Sequence, residues 1–254
     1  MNIEFDDGIQ FGLGAFETIE IRNDEPVLLE WHLERLNKSL DFLKIKKHIT
    51  GDNVISWLKN NMPSYDKTEN KQDNTKTLGK LALKILVTEK NTVFDFRHNP
   101  YTTEQKDKGF RLDYSPIIRN ETSPLIYHKT INYYGDNILE MRRIKSTDTD
   151  EVVFLNSKGE ICEGSRTNIF FVREKEIITP EIKSGLLPGV VRRLVIEKCG
   201  AKEVQIFPKD VEAMEECFVT NSLMGIMPVT KLGDVSFSIG EVSKNCMKTY
   251  NELI

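Results

Sequence analysis

Lys129 lies in His128-Lys129-Thr130-Ile131-Asn132-Tyr133-Tyr134, after the apolar run Pro124-Leu125-Ile126-Tyr127. A lysine is ordinarily a solvated surface residue, and alone it carries no chemistry. Held among aromatic and apolar groups, its amine loses hydration and its pKa falls. The free base is then a nucleophile able to form a Schiff base with a carbonyl. Two other stretches suit such an amine. Glu163 ends Glu160-Ile161-Cys162-Glu163, a short strand pattern ahead of Gly164 and Ser165. Gly185-Leu186-Leu187-Pro188-Gly189-Val190-Val191-Arg192 is a Gly/Pro turn feeding straight into a helical pattern. The Val190 and Val191 amides then have no partner within the helix and offer an anion site.

A pyridoxal 5'-phosphate cofactor asks for such a set. It needs the amine, an acid that keeps the pyridine nitrogen protonated, a donor to the ring oxygen, and a phosphate cradle. Lys129, Glu163 and the Val190–Val191 turn meet three of these needs, and Tyr134 is the candidate donor. Arg97, in Phe94-Asp95-Phe96-Arg97-His98, is the candidate for a substrate carboxylate, which a guanidinium grips with two parallel hydrogen bonds. Plainer alternatives stand beside these. Glu163 could pair with Arg166 at a turn, and Arg97 could be a strand-edge surface residue. Arg166 is a lower-ranked substrate candidate, and neither His98 nor His128 is assigned a role.

The elements that must position these residues fall into two provinces. In the first, Phe16 to Ile21 alternates as a strand, Asn23-Asp24-Glu25-Pro26 reads as a turn, and Leu29 to Leu43 carries leucines at helical steps. A second helix is expected from Asp52, as N-cap, to Met62. The polar stretch Pro63 to Thr77 reads as a mobile loop, and strands follow at Leu81–Thr88, Thr92–Phe96 and Phe110–Tyr114. Ser115 to Pro124, with prolines near both ends, is the expected boundary. The division is therefore an N-terminal α+β domain over 1–115, a linker over 116–124 and a C-terminal domain over 125–254. In the second province Pro124–Tyr127, Glu151–Leu155, Glu160–Cys162, Asn168–Val172, Glu216–Thr220 and Met227–Val229 read as strands. Val190–Lys198, stopped near Gly200, and Ile239–Leu253 read as helices. Strands and helices mix without a βαβ rhythm, so the fold class is α+β.

Together, FGLGAFETIEI, HLERLNKS, HKTINYY, EVVFLNSKGEICEGSRTNIFFV and TPEIKSGLLPGVVR, in this order, resemble the class IV aminotransferase family of fold-type IV pyridoxal-phosphate enzymes. The resemblance runs from about Phe11 to about Phe237. It implies a two-domain mixed α/β fold: a small N-terminal α/β sandwich and a larger barrel-like C-terminal domain that binds the cofactor. It also implies that Lys129 carries the cofactor as a Schiff base and shuttles protons. Glu163 would hold the pyridine nitrogen, Tyr134 would contact the ring oxygen and Leu187 would pack on the ring. Arg35, the Val190 and Val191 amides and the Ser222 hydroxyl would bind the phosphate. Ignoring the family, Arg35 is a solvated helix arginine and Ser222 a turn residue. The resemblance further implies a homodimer. Cys217 to Val229, with NSLMGIMPV, is more similar to the aminodeoxychorismate lyases of the family than to its transaminases. The expected activity is conversion of 4-amino-4-deoxychorismate to 4-aminobenzoate and pyruvate in folate biosynthesis. A D-amino-acid or branched-chain transaminase is the alternative, and a non-catalytic small-molecule binding protein a remote one.

Composition narrows the class further. The chain has 254 residues with 35 basic and 39 acidic side chains, a net charge of −4. It lacks the basic stripe of a general nucleic-acid binder and any apolar run of about 18 residues that a membrane span needs. The four cysteines form no CxxC pair and fit neither a zinc site nor a disulfide scaffold. They read as reduced thiols, and a cytoplasmic enzyme acting on a small-molecule substrate, without a metal, is the expectation.

Overall fold

A computed structural model describes residues 2–63, 81–132 and 135–254. The chain divides into two units, one of residues 1–104 with 129–132 and one of residues 105–128 with 133–254. Tyr134, and all of the expected loop except Pro63, lie outside the described residues.

The first unit holds α1 (Asp7–Phe11), β1 (Gly14–Arg22), β2 (Glu25–Pro26), α2 (Leu29–Phe42), α3 (Gly51–Asn61), β3 (Leu81–Thr88) and β4 (Thr92–His98). The strands form an antiparallel sheet in the order β2-β1-β3-β4. One face buries Ala15, Ile19, Ile21, Leu83, Ile85 and Val87 against Leu33, Leu36 and Leu40 of α2 and Val54 and Leu58 of α3. These are the period-two and helical patterns of the sequence meeting in one core. Two local expectations are corrected. The β1–β2 turn is Asn23-Asp24 alone, both left-handed at φ 52° and 67°. Pro26 lies in the edge strand opposite Ile21, where no ladder partner needs its missing N–H. The α3 N-cap is Thr50, whose Oγ1 accepts the Asn53 N–H while Asn53 Oδ1 accepts the Thr50 N–H. Asp52 instead sits in the first turn, where its charge complements the helix dipole.

Residues 129–132 return to this unit and lengthen its sheet. The Phe16 N–H donates to the Lys129 carbonyl at 3.0 Å, Thr130 bridges Ala15, and the Ile131 N–H donates to the Gly14 carbonyl at 2.9 Å.

A short helix, α4 (Thr103–Lys108), precedes the strands of the second unit: β5 (Phe110–Arg119), β6 (Glu151–Asn156), β7 (Ile161–Gly164), β8 (Asn168–Arg173), β9 (Glu176–Pro180), β10 (Lys202–Val204), β11 (Glu216–Asn221), β12 (Gly225–Leu232) and β13 (Val235–Ser236). They form a nine-stranded mixed sheet ordered β10-β9-β8-β11-β12-β5-β6-β7, with β13 on β12. The sheet curls: the Ile161 N–H at one end donates at 2.7 Å to the Ile206 carbonyl, just past β10 at the other. Its helices are α5 (Gly135–Ile144), α6 (Val190–Cys199) and α7 (Glu241–Leu253).

Two expectations fail in this unit. Residues 115–119, the start of the expected boundary, continue β5, and the β5–β6 register shifts between Tyr114 and Ile118. Pro116, without an N–H, sits in that irregularity. Pro124–Tyr127 is a 3-10 turn rather than a strand.

Candidate active site

In the first unit the Lys129 Nζ stands 4.6 Å from the centroid of the Phe16 ring. The Lys84 Nζ lies on the same ring at 3.3 Å. Phe16 and Thr18 of β1, Lys84 of β3, and Asp95 and Arg97 of β4 share the sheet face opposite the apolar core, as the register requires. Burial, then the charges of Lys129 and Arg97, bring the Lys84 pKa down to about 7, against the pull of Glu17. Lys84 interrupts the otherwise apolar run Leu81 to Val87. A charged residue inside an otherwise apolar strand was the available signal.

Glu17, fully buried on the core face, takes two hydrogen bonds from Arg35, Nε to Oε1 at 2.7 Å and Nη2 to Oε2 at 2.8 Å. His32 Nδ1 lies 2.7 Å from Glu17 Oε2. Burial alone would raise the Glu17 pKa, but Arg35 and His32 outweigh it and hold the carboxyl well below the usual range. Burial lowers the His32 pKa despite the opposing pull of Glu17. Arg35 is thus oriented by a carboxylate that the sequence reading did not single out.

In the second unit Glu163 ends β7, 3% exposed. Its Oε2 accepts the Leu187 N–H at 3.0 Å and faces Asn168 Nδ2 at 3.4 Å, while Oε1 lies 3.6 Å from Arg119 Nη2. Arg119 lies over the Phe154 ring at 3.8 Å and donates to Asn137 Oδ1 at 2.8 Å, so its charge is held toward Glu163. The expected alternative, Glu163 with Arg166, is corrected: Arg166 lies 3.5 Å from Glu151. Asn168 Nδ2 also donates to the Leu187 carbonyl at 2.9 Å, fixing Leu187 from both sides.

Two residues on, Gly189 is the N-cap of α6 without a side-chain cap, and Val190 and Val191 open the helix, both buried. The first intrahelical bond there is Arg193 N–H to Gly189 carbonyl, which leaves the Val190 and Val191 amides open as the turn predicted. Asn168 Oδ1 lies where a Cβ on Gly189 would stand, so any larger residue here must displace the Asn168 side chain. Ser222 follows β11 and is half-buried, and Thr220 Oγ1 is buried with no hydrogen-bond partner among the described residues. Lys129, Arg35 and Arg97 therefore belong to the first unit, and Glu163, Leu187, Val190, Val191 and Ser222 to the second.

Residues 14–232 match the family described as amino-transferase class IV. The chain belongs to that family. Among its relatives, the aminodeoxychorismate lyase of Bacillus subtilis is 29% identical over 247 residues, covering 92% of this chain and 82% of the relative. The crystal structure of 4-amino-4-deoxychorismate lyase from Pseudomonas aeruginosa superposes with TM-score 0.80 at 19% identity, covering 99% and 96% of the two chains. That of the branched-chain aminotransferase from Thermoproteus uzoniensis gives 0.80 at 20% identity, covering 97% and 86%. This class IV aminotransferase is accordingly a mixed α/β enzyme of fold-type IV that uses pyridoxal 5'-phosphate, as the sequence led us to expect.

The residues present suit the cofactor. A buried carboxylate whose other oxygen is already held, an open helix N-terminus cut to glycine and an orphaned buried hydroxyl are groups that a pyridinium and a phosphate would satisfy. Among the described residues, no His/Cys/Asp/Glu cluster suits a metal and no helix is long and apolar enough to cross a membrane.

Proposed function

We propose that this enzyme is a 4-amino-4-deoxychorismate lyase, releasing 4-aminobenzoate and pyruvate. What supports this reading over a branched-chain transaminase is the sheet face beside Lys129. It carries two cations, Lys84 and Arg97, with Thr18 opposite Lys84 on one side and Asp95 on the other, beside Phe16 and Leu86. That lining suits a substrate with two carboxylates and a polar ring. A branched aliphatic side chain would ask for an apolar wall instead.

The cofactor, when bound, supplies an electron sink for a carbanion beside the substrate nitrogen. Val190 and Val191 amides take its phosphate with Arg35 and Ser222, and Arg35 is kept in orientation by Glu17. Glu163 holds a proton on the pyridine nitrogen, and Leu187 packs on the ring. Tyr134 is the donor to the ring oxygen. The Lys129 amine would act as the base that removes the proton from the carbon bearing the substrate nitrogen. Arg97 and Lys84 hold the carboxylates, so that the enolpyruvyl oxygen on the neighbouring carbon can leave and the carbocycle becomes aromatic. Lys129 would return that proton to the departing enolpyruvate, which leaves as pyruvate, and so regain its free amine. The same site, with the proton returned by Lys129 to a different carbon, would run a transamination, so the lining decides between the two.

The test is direct. Purified protein is given 4-amino-4-deoxychorismate generated in place by its synthase, and 4-aminobenzoate is read by fluorescence. We expect product that depends on the protein and falls to background in Lys129→Ala. No product, from protein that converts branched-chain or D-amino-acid donors to keto acids, overturns the lyase in favour of the transaminase.

The proposed enzyme is a homodimer. The first unit exposes Ile3, Phe5, Ile9, Phe11 and Leu13 within one short stretch, an apolar surface of the kind that a second copy covers.

A further inference from the structure

Cys199 is the last residue of α6 and Cys246 lies on α7, a helix packed against it. The two thiols line the same cavity near enough to influence each other, and neither is in a disulfide. Both line one cavity of about 360 Å³, together with Lys175, Lys202, Asn245 and Thr249. Cys199 is half-buried, whereas Cys246 is only 2% exposed. Cys199 is thus the more accessible of the two thiols that line the cavity.

We propose that Cys199 and Cys246 form a reversible disulfide that staples the end of α6 to α7, made by exchange with a low-molecular-weight disulfide admitted to this cavity. In the first step the Cys199 thiolate attacks one sulfur of the small disulfide. A mixed disulfide forms on Cys199 and one small thiolate leaves. In the second, the Cys246 thiol gives up its proton and its sulfur attacks Cys199. The new bond closes, the second small thiolate leaves, and the two protons lost by the protein neutralise the two thiolates released. Two protein thiols are oxidised and one small disulfide is reduced to two thiols.

The Cys246 thiol lowers the pKa of Cys199, against a burial that opposes it, while Cys199 and burial push Cys246 up. Cys199 is the more exposed thiol and Cys246 is 2% exposed, which sets the attacking and resolving roles. Lys202 is ion-paired with Glu176 of the same lining at 2.6 Å, and Lys175 leaves the cavity one net positive charge, which suits an anionic small disulfide such as oxidised glutathione. The remaining cysteines are poor competitors. Burial pushes Cys162 up to about 12 and Cys217 well above the ordinary thiol range. The staple holds one end of the helix whose other end is the α6 N-terminus, and its chemistry does not depend on which reaction the enzyme catalyses.

The experiment titrates thiols on the denatured full-length holoenzyme after incubation with oxidised glutathione, and maps tryptic peptides by mass spectrometry. We expect the count to fall from four to two, with no glutathione retained, a peptide pair joining Cys199 to Cys246, and full reversal by dithiothreitol. Cys246→Ala is expected to stop at glutathione on Cys199. Cys199→Ser, a change at a half-exposed helix end that the fold tolerates, is expected to keep its remaining three thiols. Wild-type protein that keeps all four thiols, retains glutathione on Cys199, or joins Cys162 or Cys217 instead overturns the proposal.

Discussion

Lys84 is the residue whose environment works hardest against its charge. The unfolded chain holds that proton up to about 10.5 and the folded one only to about 7. Between these values the unfolded state binds more protons, so stability contributed here rises with pH across that window. Below pH 7 both states are protonated and the cost of burying the cation is fully present. Lys84→Met is therefore expected to stabilise the protein at pH 6, on the order of 2 kcal/mol after allowing for partial exposure. The gain should shrink toward zero as the pH approaches 10, which thermal unfolding at the two pH values reads. The same titration bears on substrate binding. If Lys84 grips a carboxylate, KM should be flat below pH 7 and rise above it, up to about tenfold per unit. Lys84→Arg, which keeps its charge, should flatten that rise. A wild-type KM that does not move between pH 6 and 9 removes Lys84 from the substrate site.

At the scale of elements, the α6 N-terminus depends on one contact. Asn168 Oδ1 occupies the space beside Gly189 while its Nδ2 holds Leu187. A methyl group at Gly189 must push Asn168 away, loosening Leu187 and with it the Glu163 carboxylate. Gly189→Ala is expected to cost about 1–3 kcal/mol of stability in urea and to weaken pyridoxal 5'-phosphate binding at least tenfold by equilibrium dialysis. A variant of unchanged affinity would show that the cradle tolerates the shift. The sequence made α6 legible because Gly and Pro before an apolar helix and Gly after it are strong local signals. It made β1, β3, β8 and β11 legible because they are short, largely apolar runs, most of whose residues are buried on both faces. It did not disclose Asn168, Arg119 or Glu17, whose roles lie in polar contacts with distant parts of the chain. Local pattern failed where a competing local bond existed: Thr50 out-competed Asp52 as N-cap through the reciprocal bond with Asn53. The left-handed Asn23-Asp24 pair closed the hairpin before Pro26 could.

At the scale of the molecule, the two hydrophobic provinces were visible, but their border was not. Prolines near residues 115 and 124 read as a linker, whereas one sits in a β5 irregularity and the other opens a 3-10 turn. The chain also returns to its first unit at Lys129–Asn132 through backbone bonds to Gly14 and Phe16, which no composition shift announces. The proposed dimer belongs to this scale too. Phe5 and Phe11 stand 69% and 64% exposed, far more than isolated surface aromatics need to be. If a second copy covers them, each pair of rings contributes on the order of 3 kcal/mol. Phe5→Glu with Phe11→Glu should then weaken association at least a hundredfold. Sedimentation equilibrium should give twice the chain mass of 29.3 kDa for the wild type and the single mass for the double variant at the same concentration. A wild-type protein that sediments as a monomer would end the dimer proposal. A variant that stays dimeric would move the interface away from this stretch, to another exposed apolar surface such as that of Ile118, Ile138 and Leu139.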